Sequence, residues 1–269
     1  MRRAAVLALA TSLAFAGCGG GHAHDVMSET AGNLGKIRSG DLTLRLVVSP
    51  REGTKGRIGF ELHGPFALRR GSLPIAHVAY TQIAGAHEAT ATFISTGTKA
   101  YAELNGKVYE LPETATASVR RAAGGPAGKS ALGDLNISSW VEDPSVSTDG
   151  DEEHVSAKLD VVDAANGLLQ LLRGLGRAAP TIEGDEADRL RDAVDSSNFD
   201  VWTGSRDHLL RRLLMRADLG LDVPESLRRV LGDVVGAKVD FELSVKNPNQ
   251  PVTVAAPSNP LPSSELPGG

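Results

Sequence analysis

The sequence predicts an α+β fold: one large curved antiparallel sheet, a half-barrel, with helices covering its concave face and an apolar cavity between the two layers. Three observations predict it. Apolar residues recur at every second position through several long runs, an Asn105-Gly106 dipeptide joins two such runs, and the helical patterns gather mostly in one central block. A strand with one apolar and one polar face needs a core on one side and water on the other. A single bent sheet backed by helices gives both faces their partner.

The chain opens with an export signal over residues 1–17. Arg2 and Arg3 are positive, and residues 4–15 are uncharged and mostly apolar, too few to cross a bilayer, which takes about 20. Ala16 and Gly17 then stand directly before Cys18, the only cysteine of the protein. Small residues at these positions resemble the lipobox of bacterial lipoproteins, and Phe15 stands where Leu is usual. That resemblance implies that Cys18 receives a diacylglyceryl group, that the chain is cut before it, and that the new amine is acylated in many such proteins. Two acyl chains give stable anchoring where one binds only marginally, at about 0.8 kcal/mol per buried methylene. Cleavage leaves 252 residues, removes Arg2 and Arg3, and moves the formal charge from -5 to -7. With its one thiol acylated, the domain has no disulfide, and its core alone must hold it.

Residues 18–24, rich in glycine, read as a lipidated flexible tether. Residues 25–39 follow as a weak helix. The first clear strands come next: Leu42, Leu44, Leu46 and Val48 alternate with Thr43, Arg45 and Val47, and Ile58, Phe60 and Leu62 alternate with Gly59, Glu61 and His63. Residues 76–84, 89–95, 99–104 and 107–111 continue a meander. After Pro112, residues 114–123 and 132–141 read as short helices, and residues 149–153 as an acidic turn. Val155, Ala157, Leu159 and Val161 resume the alternation. Asp163 is placed to cap a helix over residues 164–177, where Leu168, Leu169, Leu171, Leu172 and Leu175 form an apolar stripe. A charged helix at 185–194, strands at 199–203 and 208–219, and a short helix at 224–231 lead to the cleanest alternation, Val239, Phe241, Leu243 and Val245. The domain thus runs over residues 25–246, and a Pro-rich arm without period closes the chain at 247–269.

Composition removes several function classes. A negative chain with eleven aromatic residues offers neither a basic field for phosphates nor platforms for bases, so nucleic acid is not its partner. No G-x-S-x-G elbow, H-E-x-x-H helix or phosphate-binding glycine loop occurs, and Cys18 is taken, so no catalytic residue is assigned and the chain reads as non-enzymatic. His63, His77, His87, His154 and His208 fall on wet strand faces or turns and read as solvated. The His22-Ala23-His24-Asp25 segment and the acidic Asp149, Asp151, Glu152 and Glu153 lack the spacing of a defined site, so neither a metal nor a cofactor is expected.

The lipobox, the strand run GDLTLRLVVSP…GRIGFELHGPF, the hairpin YAELNGKVYEL, the central helices and the late strands NFDVWTGSRDHLLRRL and VDFELSV together resemble the LppX and LprG type of mycobacterial lipoproteins, over most of residues 37–246. The resemblance implies a LolA-like half-barrel with helices on its hollow side and an apolar cavity that holds acylated lipids or glycolipids, carried or presented in the envelope. The long Pro-rich tail departs from that pattern, and no lipid-contact residue of the family carries over one by one.

The residues support the same reading without the family. A 16-carbon chain resists leaving a bilayer by about 13 kcal/mol, at about 0.8 kcal/mol per methylene, so crossing water needs a shielded apolar container. Leu44, Leu46, Phe60, Leu62, Leu159, Leu168, Leu169, Leu172, Val239, Phe241 and Leu243 are the candidate cavity residues, and plain core packing is the competing role for each. The expected partners are an acylated lipid or glycolipid, the membrane through Cys18 on its extracytoplasmic side, and an envelope transporter. The alternative is a tethered scaffold or sensor with a filled core that binds another envelope protein. Replacing Cys18 with Ala is expected to move the protein from the membrane to the soluble fraction; tight membrane association that survives the replacement contradicts the anchor.

Overall fold

The structure, a computed structural model, describes residues 19–51, 56–123, 135–174, 179–220, 225 and 236–267. The signal at 1–17 and Cys18 lie outside the described residues. So does most of the helix expected at 224–231, and of Leu172 only the helical backbone is described.

Eleven strands form one open antiparallel sheet, curved as a half-barrel. They are β1 (Ser39–Pro50), β2 (Ile58–Ala67), β3 (Ile75–Ala84), β4 (His87–Thr96), β5 (Ala100–Leu104), β6 (Lys107–Glu110), β7 (Val141–Asp149), β8 (Glu152–Leu159), β9 (Val194–Gly204), β10 (Leu210–Leu219) and β11 (Ala237–Lys246). The order is β6-β5-β4-β3-β2-β1-β11-β10-β9-β8-β7. Two meanders, one leaving β1 and one arriving at β11, are thus joined where the first and last strands pair in the middle of the sheet. Asn105 and Gly106 have φ of 50° and 73°, the positive values a two-residue hairpin turn requires.

Register places the apolar residues of all these strands on one face. Leu104, Ala91, Tyr80, Leu62, Leu44, Leu243, Leu213, Val201, Val155 and Val146 are successive Cα partners in a single row. At about 4.8 Å per strand the row runs roughly 40 Å. A parallel row holds Phe60, Leu46, Phe241, Met215, Phe199 and Ala157. The opposite face carries cross-strand ion pairs such as Arg45 with Glu61 and Arg212 with Glu242. It is not uniformly wet, because Val47, Ile83, Ile94 and Tyr101 are buried on that side.

Helices back the apolar face unevenly. Helix α1 (Gly19–Asn33) packs on β7, β8 and a 3-10 turn at Ile137–Trp140. Residues 19–24, expected as a tether, are instead its first turns, and Ala23 is fully buried. The glycines there each disfavour a helix by about 1 kcal/mol, but Ala23, Val26, Met27, Thr30 and Leu34 recur at helical spacing, and all are buried. Helix α2 (Glu113–Ala123) matches its expected place. Helix α3 (Val161–Gly174) starts earlier than expected, and its cap is Asp160 rather than Asp163: Asp160 Oδ1 accepts the backbone N–H of Val162 and of Asp163, each at 3.0 Å. Helix α4 (Asp185–Asp192) packs on α3 and β9. Trp140, fully buried, meets the Phe199 ring edge-on at 6.4 Å and lies under Gly167 of α3.

Two further expectations change. Of the helix expected at 132–141, residues 132–134 lie outside the described residues, and within 135–141 only Ile137–Trp140 winds before the chain enters β7. That strand is missing from the sequence reading because Pro144 and its acidic and hydroxyl neighbours give no alternation. Such a segment fits only a sheet edge, where a proline breaks no ladder, and β7 is an edge with a register shift between Glu142 and Ser145. The other edge, β6, is closed by the C-terminal arm. Leu261 donates to Val108 O and accepts from Glu110 N, both at 2.8 Å, while Asn249 and Gln250 tie the start of the arm to Arg38 and Ser39.

Two glycines test this packing. A Cβ on Gly167 would lie 2.5 to 2.8 Å from the Trp140 ring, whereas one on Gly32 meets nothing within 4 Å. Gly167→Ala is therefore expected to destabilise by about 1–3 kcal/mol, typical of overpacking, and Gly32→Ala to stabilise by about 0.5–1 kcal/mol, both read from urea unfolding.

Candidate functional site

The two halves of the apolar face differ in cover. Over β8 to β11 it is sealed: Val155, Phe199, Val201, Leu213, Met215, Phe241 and Leu243 are all buried, beneath α1 and the turn carrying Trp140. Over β1 to β5 the cover is incomplete: Leu44, Val48, Phe66 and Ala76 are buried, but their neighbours are less so. Leu42, Leu46, Phe60, Leu62, Val78, Ala91, Phe93, Ala102 and Leu104 are only half-buried, and Tyr80 is 39% exposed. The Tyr80 ring lies on Phe60, 6.3 Å between centres and 27° between planes. Hydrophobic faces usually find cover, so an apolar strip that is partly open is the candidate site on this sheet.

The sequence-derived candidates divide along this line. Leu46, Phe60, Leu62 and Val239 stand half-buried on the inner face. Leu44, Phe241 and Leu243 occupy the same rows, fully packed, at the floor. Leu159 is buried at the end of β8, and Leu168 packs from α3 on the main core. Leu169 faces elsewhere, into a separate cluster with Val162, Ile182, Ala187, Leu190 and Leu219 between α3, α4 and β10. Sequence reading missed Val78, Tyr80, Ala91, Phe93 and Leu104. The signal was present but weak, since β3 carries apolar residues on both faces and β4 is largely Ala and Thr.

The opposite face holds a cleft of about 1090 Å³ whose walls mix polar and apolar groups, among them Trp202, Arg211, Arg212, Glu242 and Lys246, with Asn247 and Gln250 of the arm along one side. On the same face of the sheet, His154 and Ser156 both reach Asp200 Oδ1, at 2.8 and 2.7 Å. The hydroxyl proton is thus spent on the carboxylate and not held by the imidazole, so the three do not make a nucleophile and its base. The His154 ring stacks on Trp202 at 4.4 Å, and the Arg212 guanidinium lies 5.6 Å from the same ring, so both are packed rather than freely solvated.

His208 and Glu153 also depart from expectation. Glu153, placed by the sequence in an acidic turn, lies in β8 on the inner face, and its side chain is 9% exposed. His22 of α1 and His208 approach it at 3.3 and 3.4 Å. Among the described residues no group of three or more His, Cys, Asp or Glu is arranged to hold a metal ion. Beside them, partial burial pushes the Asp207 carboxyl upward, but the Arg211 guanidinium at 2.8 Å, the Leu209 N–H at 2.9 Å and nearby His208 prevail and hold it below its ordinary value.

No protein-family model and no curated protein matches the sequence. Among solved structures the chain is similar to LprF from Mycobacterium bovis, at 14% identity and a TM-score of 0.39, covering 90% of this chain and 99% of that one. It is also similar to the LolA superfamily protein NE2245 from Nitrosomonas europaea, at 6% identity and a TM-score of 0.23, covering 84% and 94%. No described helix is long and apolar enough to cross a membrane.

A carboxyl held down in the fold stabilises above its unfolded value, and the contribution is lost as pH falls through the lower folded one. Asp207→Asn is therefore expected to lower Tm near pH 7, with the gap to the natural protein closing towards about pH 2. A gap that is unchanged at acid pH would leave Asp207 no such part.

Proposed function

We propose that the protein is a membrane-anchored envelope lipoprotein that binds the acyl chains of lipids or glycolipids on the inner face of its half-barrel and carries or presents them, without catalysing a reaction. One observation supports this most: the apolar row that is sealed from Leu44 of β1 through β11 to β8 continues, partly uncovered, across β2 to β5. A strip of Leu, Phe and Val beside a stacked Phe60–Tyr80 pair suits flexible hydrocarbon, which needs area and no directed hydrogen bonds. Each methylene buried against it gains about 0.8 kcal/mol relative to water.

Cys18 sets where this happens. Acylated there, the domain hangs from the membrane at the start of α1, on the extracytoplasmic side, with the lipid source adjacent and an envelope transporter as the natural recipient or donor.

Organic extraction of the purified Cys18→Ala protein, followed by lipid mass spectrometry, tests the reading. Acylated lipid is expected in stoichiometric amount, and Leu62→Lys, which sets a charge on the half-open strip, is expected to reduce it at least several-fold while circular dichroism stays unchanged. A lipid-free Cys18→Ala protein, or equal lipid when Leu62→Lys is added, contradicts it and favours a scaffold that binds another protein.

A further inference from the structure

We propose that the basic turns at one end of β1 to β5 form a docking surface for a membrane rich in anionic lipid headgroups, which leans the uncovered half of the inner face onto the bilayer. The inference rests on the Cys18 anchor of the proposed function and adds how the anchored domain sits.

Antiparallel pairing gathers at this end the starts of β1, β3, β5, β8 and β10 and the last residues of the other strands. Three connections there, residues 34–38, 68–74 and 97–99, lie side by side. The Leu68 N–H donates to Arg38 O at 2.7 Å, and a Cβ on Gly97 would lie 3.9 Å from an Arg69 guanidinium nitrogen. Together they carry Lys36, Arg38, Arg69, Arg70 and Lys99 and no carboxylate, in a chain whose formal charge after cleavage is -7. Lys99 is paired with Glu110 at 2.8 Å, and the other four make no ion pair among the described residues. Lys36, Arg69 and Arg70 are exposed, and Arg38 is half-buried. Of the acids at the same strand ends, Glu110 is thus taken and Asp41 stands opposite Lys246. Arg51, at the other end of the sheet, is by contrast held by Asp195 and Asp218. Like charges on neighbouring turns repel one another, so the fold gains nothing from this cluster, whereas a plane of phosphates neutralises all of it at once.

The anchor lies at the same end. Helix α1, whose first residue Gly19 follows Cys18, runs along it: His22 Nε2 is 3.3 Å from Glu153 Oε1 near the start of β8, and Asn33 Nδ2 donates to the carbonyls of Asp207 and His208 in the β9–β10 turn, at 3.1 and 3.4 Å. Acyl chains and cations therefore face one membrane, the pairing of lipid with a basic patch that makes peripheral binding stable. Between them the charge changes sign. Asp149, Asp151 and Glu152 stand at the β7–β8 turn beside the start of α1, answered only by Arg206, 3.9 Å from Asp151. The five spacings from β8 to β2, at about 4.8 Å each, set the acidic and basic turns roughly 24 Å apart along the sheet, beyond the Debye length of about 10 Å at 0.1 M salt. Anionic headgroups repel the first group and attract the second, and the domain tilts towards β2 to β5, where Leu62, Val78 and Phe93 are half-buried on the inner face.

The mature chain carrying Cys18→Ala, which lacks acyl chains, is sedimented at about 0.1 M salt with vesicles of phosphatidylcholine alone and with vesicles holding about a quarter phosphatidylglycerol. Binding is expected to be at least about tenfold tighter on the anionic vesicles and to fall steeply as salt is raised. Arg69→Gln with Arg70→Gln, both in an exposed turn, is expected to weaken it by about 25-fold, about fivefold for each cation. Lys107→Gln, an exposed cation at the other end of the sheet, is expected to leave it unchanged. On the natural acylated protein in the same anionic vesicles, amine labelling of Lys36 is expected to drop several-fold and that of Lys107 to stay level. Equal binding to both vesicles, undiminished binding of the double variant, an equal loss with Lys107→Gln, or Lys36 labelled as freely as Lys107 would each overturn the proposal. Binding through the turns alone is released by high salt and does not imitate the tight association that Cys18 gives. The anchor is read from the fractionation of Cys18→Ala, which involves no vesicle, so either claim can fail without the other.

Discussion

The pairing of β1 with β11 is the constraint on which the rest of the structure depends. Ten successive partners, from Asp41 with Lys246 to Pro50 with Ala237, join the N-terminal and C-terminal meanders side by side at the centre of the sheet. No local turn fixes this register, because the two strands stand at opposite ends of the domain sequence. What fixes it is burial. Leu44 against Leu243 and Leu46 against Phe241 put both halves' apolar residues on one face, and a slip of one position would set Thr43 and Arg45 against them instead. The arm that follows β11 secures the same seam, since Asn249 and Gln250 hold Arg38 and Ser39 where β1 begins.

From that seam the two halves diverge in how they are finished. The C-terminal half receives α1, the Trp140 turn and α3 with α4, and its inner face becomes ordinary core. Between β1 and β5 the same kind of surface continues without equal cover, so Phe60, Leu62 and Tyr80 keep contact with solvent-sized space. Solidity in one half allows accommodation in the other. A sheet soft throughout could not hold such a curved strip open. The edges are treated just as differently: β7 is blunted by Pro144 and its acidic neighbours, while β6 is capped by Leu261.

Much of this was legible in the sequence where local pattern and tertiary role agree. The alternation of β1, β2 and β11 and the Asn105-Gly106 turn were readable because each residue's neighbours in sequence already define its face. Legibility ended where partners are distant or pattern is absent. β7 has no period to read, and the start of α1 looked like a linker because its glycines outweigh its few apolar residues until the sheet is there to bury Ala23 and Met27. His208 read as solvated for the same reason: Glu153 is 55 positions away and Glu29 lies in a helix that the sequence signals faintly. The strip is legible in part, through Leu46, Phe60 and Leu62, whereas Tyr80 and Phe93 stand in strands with apolar residues on both sides.

The central claim is that hydrocarbon lies on the uncovered part of the inner face and nowhere else on the sheet. Photolabelling of the protein with a lipid bearing a diazirine on its acyl chain, followed by peptide mapping, tests it most directly. Labels are predicted on peptides from β2 to β5, centred on Phe60, Leu62, Tyr80 and Phe93. Labels gathered instead at the polar cleft around Trp202 and Arg212, or spread evenly over both faces, would contradict the account.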